Sequence, residues 1–105
     1  MEESLRDRVL DAERRRAARE DVRVQIHLLD REHHALGGEL LNLSANGFMA
    51  ELDRTLGERE PVRVELPGLG WVRATAIWVL GTRAGFAFRE PISPHDYLRL
   101  VALCR

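Results

Sequence analysis

The stretch Val22-Arg23-Val24-Gln25-Ile26-His27-Leu28-Leu29 decides the fold class. Val22, Val24, Ile26 and Leu28 alternate with Arg23, Gln25 and His27, the period of two expected of a strand with one face buried. Working outward, further alternating or near-alternating runs fall at Glu39–Leu43, Phe48–Leu52, Val62–Leu66, Trp71–Val79 and Gly85–Arg89. Turn signals separate them: the polar Asp30–Gly38 segment, Asn46-Gly47, Gly57, Pro67-Gly68 with Gly70, and Gly81. Short strands at this spacing, with no helical period between them, predict an antiparallel barrel or sandwich. A helix is predicted only at the end, over about 93–104. Ser93 is placed to cap it, Pro94 suits its first position, and Asp96 sets negative charge at the positive end of its dipole. Tyr97, Leu98, Val101 and Cys104, with Leu100 and Leu103 beside them, offer an apolar face for the strands.

Composition narrows the class. The chain has 105 residues, 45% hydrophobic and 31% charged, in keeping with one soluble globular domain. No apolar run is long enough to span a bilayer or serve as a signal peptide, so the expected location is the cytoplasm, without membrane insertion. The single cysteine, Cys104, excludes an internal disulfide and reads as a packing residue. The 16 basic side chains are all arginine and face 17 acids, for a formal charge of −1. Such a balance supplies no general field for nucleic acid or anionic lipid. The local distribution is another matter, because four arginines fall between Arg14 and Arg19 with no acid among them. Residues 1–20 therefore read as an arm, in which Ser4–Ala18 could form a short helix without a convincing buried stripe, and 21–105 as the β domain with its closing helix.

Two motifs flank the first strand. Arg15-Arg16-Ala17-Ala18-Arg19 fits R-x-x-x-R, and Asn42-Leu43-Ser44-Ala45-Asn46-Gly47 fits [D/N]-x-S-x-x-G. With the later strand pair VRATAIWVLGTRAGFAF, Val72–Phe88, they resemble a PilZ domain over roughly Arg14–Arg89. The register Arg19–Arg23 also spells R-x-x-x-R. It is rejected because Arg23 lies within the alternating strand and the intervening Glu20 and Asp21 repel a phosphate.

The resemblance implies a six-stranded antiparallel β-barrel that binds the bacterial second messenger cyclic di-GMP between an N-terminal arginine arm and the barrel surface. It implies Arg15 and Arg19 on the arm, with Arg14 and Arg16 beside them, and Asn42, Ser44 and Gly47 on the barrel. The chemistry agrees. The ligand carries two phosphodiester anions and two guanines, and a guanidinium can fork onto the guanine O6/N7 edge or stack on the ring, whereas an ammonium supplies only a point charge. Short Asn and Ser side chains leave room for a purine. Gly47 is expected to permit positive φ and a close backbone approach, and Asn46-Gly47 is itself a hairpin signal. Four neighbouring arginines repel one another, so the arm is expected to become ordered only when anions neutralise it. Their number matches the four phosphates of a paired ligand, which gives two ligands per chain as the expectation.

Other classes fit less well. Ser44 has no partner that would make it a nucleophile, and the acids are scattered, so no enzyme is expected. His33-His34 lies in a predicted loop with no further ligand at metal spacing, and neither metal nor cofactor is expected. The PGLG stretch lacks a P-loop lysine. Trp71 and Trp78, seven apart in one strand, should face opposite sides, one of them core and the other able to shape a ligand or partner surface. With no catalytic or membrane module in the sequence, signalling through an unidentified downstream protein is expected. The alternatives are a PilZ-like interaction module without nucleotide and a small barrel binding nucleic acid. The second would need a basic face studded with aromatics, and only six aromatic residues are present.

Overall fold

A computed structural model describes residues 18–105. Six strands, β1 (Glu20–Leu29), β2 (Ala35–Leu43), β3 (Gly47–Leu52), β4 (Pro61–Leu66), β5 (Gly70–Leu80) and β6 (Arg83–Phe88), precede the helix α1 (Pro94–Cys104). Every pairing is antiparallel, and the strand order β1-β2-β3-β6-β5-β4 closes on itself through His27↔Glu65, Leu28↔Val64 and Leu29↔Arg63. Closure leaves the expected barrel rather than a sandwich, and removes the free sheet edges that invite association.

The period-two reading of β1 holds, with Val22, Ile26 and Leu28 buried and Arg23, Gln25 and His27 exposed. Inside, Phe48 stacks on Phe86 with ring centroids 4.6 Å apart, and Phe88 tilts against Phe48 at 5.5 Å. Leu28, Leu40, Leu43, Val64, Leu66 and, from α1, Leu100 are also fully buried. Burying aromatic and branched side chains from six strands around one axis is the principal stabilising term.

The helix starts as its sequence dictates. Ser93 Oγ accepts from Asp96 N–H at 3.2 Å, Pro94 follows the cap, and Asp96 lies in the first turn. Tyr97, Leu100, Val101 and Cys104 are buried, while Leu98 and Leu103 face outward, so the buried stripe is narrower than expected. The Tyr97 hydroxyl donates to the Leu43 carbonyl at 3.3 Å, tying the helix to the end of β2. Burial raises the pKa of the Cys104 thiol, consistent with a packing role.

Three expectations change. The first turn is shorter than Asp30–Gly38, because β2 already begins at Ala35. Asp53 supports that early start: its Oδ2 accepts from Gly37 N–H at 2.9 Å, and its own N–H donates to the Gly37 carbonyl at 3.0 Å. Neither tryptophan is core, with Trp71 at 47% and Trp78 at 37% exposure. A bulge between Ala76 and Trp78 inserts one residue, Ile77, and reverses the alternation, so both indoles point outward. Finally, Gly47 does not adopt positive φ; the glycines that do are Gly68 and Gly70, at the β4–β5 turn, and Gly81, at the β5–β6 turn. What requires glycine at 47 is proximity, since a Cβ there would fall on the Phe86 carbonyl oxygen of β6.

Candidate functional site

Backbone register gathers the second motif and its surroundings on the outer wall of the barrel. Asp21 stands opposite Asn42, Asn42 opposite Met49, Met49 opposite Gly85, and Gly85 opposite Trp78. This row crosses five strands. Bulges in β2, between Leu40 and Asn42, and in β5 turn Asn42 and Trp78 onto it. Gly85 is the low point, because a Cβ there would fall inside the Trp78 indole, so the ring lies across bare backbone with part of its surface exposed.

Arg19, just before β1, meets this row. Its Nη1 donates to Asn42 Oδ1 at 2.7 Å, which joins the arginine motif to the second motif directly. Because the partner is a neutral carboxamide, the bond orients the guanidinium without neutralising its charge. The Asn42 amide nitrogen lies 3.9 Å from Met49 Sδ.

Beside the row, a groove of about 660 Å³ is lined by Arg23, Leu41, Met49, Arg83 and Arg105, among others. In the sequence Arg23 reads as a strand residue outside the arginine motif. It is one, but its outward direction brings it to this groove. Arg83 and Arg105 carried no local signal at all, since distant pairing and the helix end bring them here. Each of these three is matched to an acid: Arg23 to Glu39 at 3.1 Å, Arg83 to Glu51 at 3.0 Å and Arg105 to Glu20 at 3.0 Å. The Thr82 hydroxyl and Arg83 hold the Glu51 carboxyl below the ordinary carboxylate range. Exposed pairs of this kind are worth little, and their arginines can turn towards another anion at small cost.

The β2–β3 turn is built from within. Ser44 is buried at 4% exposure; its Oγ accepts from Asn46 N–H at 3.2 Å and lies 3.5 Å from the Gly47 carbonyl, which also accepts from Ser44 N–H at 2.9 Å. The end of β6 and the segment after it fasten the turn, with Phe88 N–H donating to the Asn46 carbonyl and Ile92 N–H to that of Ala45, each at 2.9 Å. Ser44 and Gly47 thus shape the turn that carries the site, and the Ser44 hydroxyl is directed into that turn. Arg14, Arg15 and Arg16, with nearly all of the possible Ser4–Ala18 helix, lie outside the described residues. Among the described residues there is no group of three or more His, Cys, Asp or Glu suited to a metal ion, and no helix is long and apolar enough to cross a membrane.

The sequence profile of the PilZ domain matches residues 13–105. Two solved structures share the fold. The PilZ domain of CeSA from a cellulose-synthesizing bacterium is similar at TM-score 0.61 and 16% identity, over 84% of this chain and 95% of that one. The PilZ domain of YcgR from Escherichia coli, solved with c-di-GMP, is similar at TM-score 0.59 and 20% identity, over 87% of this chain and 88% of that one. No curated protein sequence matches the chain.

Proposed function

The chain belongs to the PilZ family, and from that footing we propose that it is a cyclic di-GMP receptor whose ligand lies on the outer barrel wall between Arg19 and Trp78. The observation that carries this reading is the Arg19–Asn42 hydrogen bond, which brings a guanidinium that has no ion pair among the described residues from one motif onto the side chain of the other. The YcgR domain was solved with this nucleotide on the same fold.

In this reading Arg15 and Arg19 make charge-assisted hydrogen bonds to the phosphodiesters or to guanine O6/N7, and Arg14 and Arg16 add to the local positive charge. Asn42 fixes Arg19 and offers its amide to the ligand. Ser44 and Gly47 act through the turn they hold, a positioning role. Trp78, lying across Gly85 at the far end of the row, supplies a flat surface on which a guanine can stack. The domain acts as a regulatory binding module rather than an enzyme, and the ordering of the arm around the ligand is read by a downstream protein. Two intercalated ligands per chain suit the four arm arginines.

Calorimetric titration with cyclic di-GMP tests the location. Arg19→Ala and Trp78→Ala should each weaken binding by about 1–3 kcal/mol, from a lost charged hydrogen bond and a lost stacking surface respectively. Arg99→Ala, on the exposed side of α1, should bind like wild type. Equal affinities in all three variants would refute the placement.

A further inference from the structure

A second group of arginines stands on other strands. Arg63 on β4 is directly opposite Arg73 on β5, and both are exposed on the outer wall. Like charges directly opposed across an antiparallel pair are destabilising. Two more guanidinium-bearing residues approach from outside the pair. Arg31 comes from the β1–β2 turn, and Arg89 follows β6 with its N–H on the Arg73 carbonyl at 2.9 Å. All four border one concavity of about 430 Å³, which also includes Pro61 and the half-buried Thr75.

None of the four is in an ion pair among the described residues. The acid that lines the concavity, Asp30, is already committed. Its side chain is 10% exposed, Oδ2 pairs with Arg54 at 2.7 Å, and Oδ1 accepts from Glu32 and His34 N–H at 2.8 and 2.9 Å. His33 is the other titratable group on the rim. In a chain with a formal charge of −1, this is a sharp local excess of positive charge.

We propose that this concavity is a second anion site, which binds a small molecule bearing one or two phosphate groups independently of the Arg19–Asn42 wall. Guanidinium forks match phosphate oxygens, the volume is that of a small-ligand pocket, and a bound phosphate removes the Arg63/Arg73 repulsion. The Thr75 hydroxyl is placed to add a neutral donor.

Inorganic pyrophosphate is the probe, titrated into the full chain at constant ionic strength and followed by amide chemical shifts. Saturable shifts should centre on residues 31–33, 61–63, 73–75 and 89. Arg73→Gln should weaken this response about tenfold or more, whereas Arg19→Ala should leave it unchanged. In phosphate-free buffer of low ionic strength Arg73→Gln should melt above wild type, because the repulsion is gone, and added pyrophosphate should raise the wild-type midpoint more than the variant's. A non-saturating response, shifts centred on Arg19 and Asn42, or undiminished binding by Arg73→Gln would overturn the proposal. Cosedimentation with phosphatidylcholine–phosphatidic acid vesicles without a saturable pyrophosphate response would assign the arginines to a lipid surface and overturn it equally.

Discussion

Replacing Gly47 with alanine should be among the more damaging single-methyl additions in the chain. A Cβ at 47 would press far inside contact distance of the Phe86 carbonyl oxygen and would lie 3.1 Å from its carbon and 3.2 Å from Ala87 Cα. All three are backbone atoms, so no rotamer change relieves the clash, and β3 must move away from β6 at the Gly47↔Ala87 pair. Overpacking of this kind costs about 1–3 kcal/mol, and loosening one or two neighbouring strand hydrogen bonds adds about 1 kcal/mol each. The sum, roughly 3 kcal/mol, corresponds to a melting midpoint lower by roughly 15 °C in a domain of this size. Gly70→Ala is the matched comparison, because φ there is 76° and nothing lies within 4 Å of the added carbon. Left-handed strain alone should cost about 1–2 kcal/mol. Calorimetric melts of the two variants beside wild type provide the assay. A Gly47→Ala midpoint within a few degrees of wild type, or above that of Gly70→Ala, would refute the close-approach explanation.

Ser44→Ala should cost about 1 kcal/mol by leaving Asn46 N–H without its acceptor, and should speed hydrogen exchange at Asn46 while leaving the β5 amides protected; unchanged exchange at Asn46 would count against the turn-holding role. Asp30 gives a pH signature. The backbone N–H of His34 and the Arg54 guanidinium hold its carboxyl below the ordinary value, so its stabilisation is complete above the unfolded value of about 3.9 and disappears as pH falls through the folded one. Asp30→Asn should therefore be less stable than wild type at neutral pH and equal to it in strong acid, and a difference that persists or grows at low pH would contradict this. Trp78→Phe should bind cyclic di-GMP with an affinity between those of wild type and Trp78→Ala; Phe equivalent to Ala would argue against stacking.

The parts of the fold that could be read in the sequence are those whose cause is local. β1 alternates because one face is buried, Gly68, Gly70 and Gly81 mark turns because they take positive φ, and Ser93-Pro94 starts α1 because the cap and the first turn are adjacent in the chain. What could not be read depends on a distant partner. The bulges at Leu41 and Ile77 have no residue signature, yet they decide which way Asn42 and Trp78 face. Gly47 reads as a turn glycine until Phe86 of β6 is set against it. The site divides in the same way. Two motifs were visible as strings, and the Arg19–Asn42 bond realises their proximity. Arg83 and Trp78 reach the same wall through the β3–β6 and β5–β6 pairings, and Arg105 through the helix end.

Everything proposed for the site rests on the wall joining Arg19 to Asn42 binding cyclic di-GMP together with the arm arginines. Calorimetric titration of the full chain with cyclic di-GMP, repeated on Arg15→Ala and Arg19→Ala, tests it most directly. Wild type should bind saturably, with two ligands per chain, and each variant should lose about 2 kcal/mol, roughly thirtyfold, as charge-assisted hydrogen bonds are removed. No heat of binding to the wild-type chain, or affinities that stay unchanged in both variants, would contradict it.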